Sequence, residues 1–113
     1  MISLDKLRAF GADVDAGLAR CMNSEALYLR LVGMAANEPS FAALGKYLKE
    51  GDLGRAFEEA HKLKGVAGNL SLTPIYTPVS ALTELLRDRT AGDYEKLYEE
   101  IAAKAEELAA LTK

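Results

Sequence analysis

The chain has 113 residues, which is the size of one packed core, and we predict a single domain over residues 1–113. Half of the residues are hydrophobic and 27% are charged, and charges interrupt every apolar run before it reaches the length of about 18 residues that a membrane span needs. A net charge of −3 and a pI near 5.2 provide no basic stripe, so nucleic acid is a poor candidate partner. The first residues do not resemble a signal peptide, and we expect a monomeric, cytoplasmic protein.

Cysteine and histidine occur once each, which limits the chemistry further. A lone Cys21 excludes an intramolecular disulfide, and its position among apolar residues predicts a small buried side chain. A lone His61 excludes metal sites that need two imidazoles. We therefore expect no metal and no cofactor on this chain, and any imidazole chemistry must take place at one position.

Three short helical patterns occupy the first 35 residues. Ser3 and Asp13 are predicted N-caps, and Gly11 is expected to end the first helix. The third helix, predicted from Ser24 to about Ala35, is apolar nearly all round. Its surface is either buried under the two preceding segments or available for docking of a partner domain, and the pattern leaves both interpretations open.

Four longer helical patterns follow, separated by glycines and capping residues. They are predicted from Ser40 to Glu50, from Leu53 to about Leu70, from Thr73 to about Arg89, and after Gly92-Asp93. Gly51 suits the left-handed position that ends a helix, and Asp52 suits an N-cap. Pro78 lacks an amide for the helical ladder, so its helix is either kinked or begins at Thr77. We predict an all-α fold, an antiparallel four-helix bundle with additional short N-terminal helices.

His61 lies about a third of a turn from the centre of the apolar stripe on the Leu53–Leu70 pattern, so we expect it at the surface. Lys64, Gly65 and Gly68 follow it at spacings that place them on the same side of the helix. Each interior glycine costs about 1 kcal/mol of helix stability relative to alanine. Because these glycines have no side chains, they would leave the imidazole accessible to a bulky partner.

These residue types suit a covalent phosphoryl carrier. An imidazole is largely neutral at physiological pH and is then nucleophilic without a dedicated base. A phosphoryl group on the His61 ring would carry about two negative charges, which the Lys64 ammonium one turn away would partly offset. A surface histidine beside two incidental glycines explains the spacing equally well, so the spacing alone does not decide.

The segment from Ala60 to Leu70 resembles the signature of the histidine-containing phosphotransfer (HPt) domain family. It reads A-H-K-L-K-G-V-A-G-N-L, and the family pattern is A-H-x-L-K-G-x-A-x-x-L. The succession of helices is also similar over nearly the whole chain. The family pattern usually ends in glycine where this chain has Ser71, a departure that we expect to affect the end of the helix but not the chemistry.

The resemblance implies roles for three residues. His61 matches the phosphoaccepting histidine, which carries the group on Nε2, Lys64 the lysine that contacts the phosphoryl oxygens, and Gly65 the glycine that keeps the site open. The implied partners are receiver domains of response regulators or hybrid histidine kinases, which exchange the phosphoryl group through an aspartate and supply the magnesium ion. The chain itself is expected neither to bind ATP nor to autophosphorylate, and it has no G-x-x-x-x-G-K-[ST] loop.

Two other functions stay open at this point. The first is a helical protein-interaction module of the same fold whose histidine is never phosphorylated. The combination of His61, Lys64 and Gly65 favours phosphotransfer, because an interaction module needs none of the three. The second is an enzyme with His61 as a general base, which is disfavoured because no second catalytic group beyond Lys64 is expected on that side of the helix.

Overall fold

The computed structural model describes residues 1–89 and 92–113, and these contain seven helices and no strand. The helices are α1 (Leu4–Phe10), α2 (Val14–Arg20), α3 (Glu25–Ala36), α4 (Ser40–Glu50), α5 (Leu53–Asn69), α6 (Thr73–Arg87) and α7 (Tyr94–Leu111). The all-α prediction is confirmed. In the parts of the chain so described, none of the helices has the length and apolarity required to cross a membrane.

Local capping chemistry sets most of the helix boundaries. At five helices the side chain of the N-cap residue accepts a hydrogen bond from a backbone N–H of the first turn. These N-cap residues are Ser3, Asp13, Ser24, Asp52 and Asp93. Gly51 ends α4 with φ of +76°, a left-handed conformation that glycine adopts without strain. These signals depend on residues a few positions apart, which is why the sequence predicts them well.

Pro78 lies inside α6, which begins at Thr73 with Pro74 in its first turn and continues to Arg87. A start at Thr77 is therefore wrong. Pro78 cannot donate to the carbonyl four residues earlier, but its ring is buried, and the apolar contact offsets part of that loss.

Helices α4 to α7 form the bundle. α5 packs against α4 and α6, α7 packs against α6, and α7 also contacts α4. Along the α5–α6 pair, Gly68 faces Tyr76 and Phe57 faces Arg87, so residue numbers rise on one helix as they fall on the other. The two helices are thus antiparallel, as predicted for the bundle.

The three N-terminal helices cover the end of the bundle where α5 passes into α6. Tyr28 of α3 is completely buried, and its hydroxyl donates to the carbonyl of Leu70 at 2.9 Å. The amide of Asp13 donates to the carbonyl of Ser71, also at 2.9 Å. Gly17 of α2 lies against the Tyr28 ring, where a Cβ would come within 2.5 Å of Cε1.

α3 has α2 and α7 as its main neighbours, and α5 is not one of them. Val32 and Ala35 are buried with Tyr28, whereas Met34 is 64% exposed. Burial thus accounts for one side of α3, and the docking interpretation gains no support from its position. Cys21 is buried, as its apolar surroundings predict.

Candidate functional site

α5 presents His61 to one side of its buried stripe, away from the core. Four α5 residues are almost completely buried in the core: Ala56, Ala60, Leu63 and Ala67. His61 lies near the middle of the helix and is exposed. This placement agrees with the helical spacing, because a residue directly after Ala60 points about 100° away from it.

The imidazole of His61 contacts the ring of Phe57, which lies one turn earlier on the helix. The two ring centroids lie 5.8 Å apart, with 32° between the ring planes. Within the described part of the chain, neither imidazole nitrogen of His61 has a hydrogen bond or an ion pair. The described contact of the ring is therefore the one with Phe57, and the polar atoms of this exposed residue are not engaged by the described side chains.

The side of α5 beyond His61 is open at Gly65. A Cβ at this position would meet no atom within 4 Å. A groove of about 350 Å³ begins here and continues past Gly68 to Arg20 of α2 and Tyr76 of α6. Position 65 itself is therefore unobstructed, and the role of Gly65 in access to His61 stays a prediction.

Gly68 has a packing contact of its own. A Cβ on Gly68 would lie 3.2 Å from Cε1 of Tyr76, so the absence of a side chain lets the Tyr76 ring lie against the helix. Gly68 also lines the groove. Its role in access to His61 stays a prediction, because the contact with Tyr76 is a sufficient reason for glycine here.

Lys64 is held by a carboxylate of α6. Its Nζ lies 3.6 Å from Oε1 of Glu84, and the Lys64 side chain is 29% exposed. Oε2 of Glu84 lies 3.5 Å from Nε of Arg87, and the Arg87 guanidinium carbon lies 5.2 Å from the centroid of the Phe57 ring. Lys64, Glu84, Arg87 and Phe57 therefore form a connected set on the α6 side of His61, which we call the α6-side network.

An ion pair also lies on the α4 side of α5. Lys62 Nζ is 3.4 Å from Oε1 of Glu38, in the connection between α3 and α4. Partial burial acts to raise the pKa of Glu38, but hydrogen bonds from the hydroxyl and amide of Ser40, together with Lys62, lower it below its ordinary value. Glu38 is thus an anchored anion.

Several residues around the His61 ring were missed by the sequence analysis, which considered only the residues that follow His61 along the helix. Phe57 has the helical spacing of a neighbour, but it reads as part of the apolar stripe. Glu58 lies three positions before His61 and is exposed, so a carboxylate that the sequence analysis did not consider shares that side of the helix. Glu84 and Arg87 come from α6, and only the packing register of the two helices brings them to Lys64.

The arrangement offers one accessible nucleophile with cations nearby. Among the described residues, histidine, cysteine and acidic side chains form no group of three or more that could hold a metal ion. Such a site suits covalent transfer of a small anionic group to and from the imidazole, with a partner supplying further groups. The fold and the site thus define a helical bundle of the carrier type.

Comparison with protein families agrees with this class. The chain belongs to the HPt family, since the sequence model described as the Hpt domain matches residues 34–111, more than half of its length. The match begins near the end of α3 and covers the whole α4–α7 bundle. Domains of this family are phosphotransfer carriers in phosphorelays, interact with receiver domains and are not kinases. Comparison with curated proteins and with solved structures gave no significant match.

Proposed function

We propose that this chain accepts a phosphoryl group on His61 from the aspartate of one receiver domain and passes it to the aspartate of another. The observation that carries the proposal is the exposed His61 ring beside the open position at Gly65, in a chain of the HPt family. The same two features distinguish a transfer site from a buried structural histidine.

The chemistry requires only the imidazole of His61 on this chain. In the forward step Nε2 attacks the phosphorus of the aspartyl phosphate, an N–P bond forms, and the P–O bond to the aspartate breaks. The aspartate leaves as a carboxylate, and the ring keeps its Nδ1 proton as a phosphoimidazolium. In the onward step a carboxylate oxygen of the second receiver attacks the phosphorus, and the electron pair of the N–P bond returns to Nε2.

Lys64 and Gly65 assist this step in different ways. Lys64 is one turn from His61, and its ammonium would pair with the phosphoryl oxygens, which together carry about two negative charges. Gly65 leaves room for the receiver to bring its phosphorylated aspartate up to the ring. We propose that the chain needs no cofactor of its own, binds no ATP and does not autophosphorylate. The magnesium ion would be bound by the receiver, where it offsets phosphoryl charge.

Incubation with a panel of phosphorylated receivers tests the proposal. We expect at least one receiver to transfer label to this chain, and the label to be acid-labile and base-stable, as a phosphoramidate is. Binding to a receiver without any transfer would instead favour an interaction module. Acid-stable label would place the phosphoryl group on a hydroxyl and contradict the proposal.

A further inference from the structure

We propose that Glu84 is a positioning residue that competes with the phosphoryl group on His61 for Lys64 and Arg87, and thereby favours onward transfer. The inference rests on the proposed function, since it concerns phosphorylated His61. It adds a residue of α6 to a site otherwise built on α5.

Glu84 pairs with two cations of the α6-side network, Lys64 through Oε1 and Arg87 through Oε2, and it brings one negative charge to them. Lys64 is three residues after His61, and Arg87 lies over the Phe57 ring that contacts the His61 ring. Without a phosphoryl group, the Glu84 carboxylate therefore lowers the net charge of this network from +2 to +1.

Glu84 is also free to move. Its side chain is 54% exposed, and in the described part of the chain it makes only these two ion pairs and no hydrogen bond. Glu38 on the other side of α5 differs, because hydrogen bonds from Ser40 fix it and only 19% of its side chain is exposed. The carboxylate beside Lys64 can thus be displaced, whereas the one beside Lys62 is anchored.

Phosphorylation of His61 sets up a competition. The new group adds about two negative charges one turn from Lys64, on the ring that contacts Phe57, over which Arg87 lies. If Glu84 stays in place, it repels the phosphoryl oxygens, and if it leaves, it gives up two ion pairs. Either outcome makes phosphorylated His61 less stable relative to the aspartyl phosphate of a receiver than it would be without the Glu84 charge.

The equilibrium of transfer measures this effect directly. Labelled receiver and the chain are mixed, the reaction is followed to its end from both directions, and the label on each partner is quantified. Glu84→Gln should shift the equilibrium toward His61 by about two- to fivefold, the range for an exposed charge pair. The shift should shrink at high salt and in a Lys64→Ala background, because screening weakens both ion pairs and the substitution leaves only Arg87 to compete for. Glu84→Ala should shift the equilibrium in the same direction.

Glu107→Gln is the matched control, because Glu107 pairs with Lys104 on α7 at 3.1 Å and α7 is not a main neighbour of α5. It removes the same charge and an equivalent ion pair, and should leave the equilibrium unchanged. An equal shift in this control, no shift in Glu84→Gln, or a shift toward the receiver would each overturn the role of Glu84. Absence of label on the wild-type chain from every receiver would instead overturn the proposed function, and this inference with it.

Discussion

At the scale of single residues, the Lys64 side chain is expected to raise the rate of phosphoryl transfer without being essential for it. Lys64 acts through charge and forms no bond to phosphorus, so Lys64→Ala should slow transfer by about ten- to a hundredfold and leave it measurable. The comparison is the initial rate of label transfer from one phosphorylated receiver. An unchanged rate would show that Lys64 serves only its ion pair with Glu84.

Gly65 provides the test of access. Gly65→Phe should impair transfer strongly, because the side chain would project from the side of α5 that His61 shares, one turn from the imidazole. Folding should survive, because a Cβ meets nothing there and removal of a helical glycine is neutral or stabilising. Gly65→Ala is the control: it should raise helix stability by up to about 1 kcal/mol and impair transfer much less. Normal transfer by Gly65→Phe would show that the open position has another purpose.

Gly68→Phe should also impair transfer, but it is a less direct test. A side chain at Gly68 must displace the Tyr76 ring as well as enter the groove. A loss of transfer in this variant therefore has to be compared with its thermal unfolding before it is assigned to blocked access.

The backbone conformation at Ser71 gives a physical reason for the glycine that the family pattern usually has at this position. Its φ is +56°, a left-handed conformation in which a side chain is strained, and the Leu72 amide donates back to the Ala67 carbonyl at 2.9 Å. Ser71→Gly should raise the free energy of unfolding by about 1 kcal/mol, measured by chemical denaturation. Ser71→Ala keeps the strain and should give no gain, and an equal gain in both variants would contradict the account.

At the scale of elements, the contact of α3 with the end of α5 depends on one hydroxyl. Tyr28→Phe leaves the buried Leu70 carbonyl without its donor and should cost about 1–2 kcal/mol at neutral pH. Gly17→Ala should be more damaging than alanine in an open helix, since its Cβ would overlap the Tyr28 ring. Gly33, where a Cβ meets nothing, is the matched position for comparison.

Ionisation of the Tyr28 hydroxyl should reduce the stability of the protein in alkaline solution. Burial, with smaller contributions from Cys21 and Asp13, raises the pKa of Tyr28 to about 12, above its ordinary value of 10.0. Because the folded-state pKa is the higher one, the stabilisation is fully present below pH 10 and is lost as pH rises through about 12. The loss should reach about 3 kcal/mol. Tyr28→Phe should lack this loss, so the advantage of the wild-type protein over the variant in free energy of unfolding should shrink over this range and then reverse, and a constant difference would contradict the prediction.

Local elements were predictable to different degrees. The starts of α1, α2 and α5 follow from their N-cap side chains, and the ends of α1 and α4 follow from Gly11 and Gly51. Pro78 was ambiguous, because a proline can end a helix or be tolerated inside it, and the choice depends on burial of its ring in the assembled bundle. The surroundings of α3 were undecided for the same reason, since an apolar helix does not indicate which neighbour covers it.

At the scale of the whole molecule, the bundle and the position of His61 follow from periodicity, but the α6-side network does not. An exposed histidine opposite an apolar stripe is a property of one helix, so sequence spacing is sufficient to place it. The contact of Lys64 with Glu84 requires the antiparallel register of α5 and α6, which residues twenty positions apart do not reveal. The domain limits of 1–113 stay a prediction, because the family match begins only at residue 34.

The whole account depends on phosphorylation at a single residue, and transfer to His61→Gln tests this most directly. Glutamine keeps the polarity and approximate size of the side chain but has no nucleophilic ring nitrogen, and the exposed position should tolerate it without loss of helicity. The wild-type chain should accept label from a phosphorylated receiver, and a folded His61→Gln variant, checked by circular dichroism, should accept none. Because the chain has no other histidine, full acceptance of label by the glutamine variant would contradict a phosphohistidine carrier.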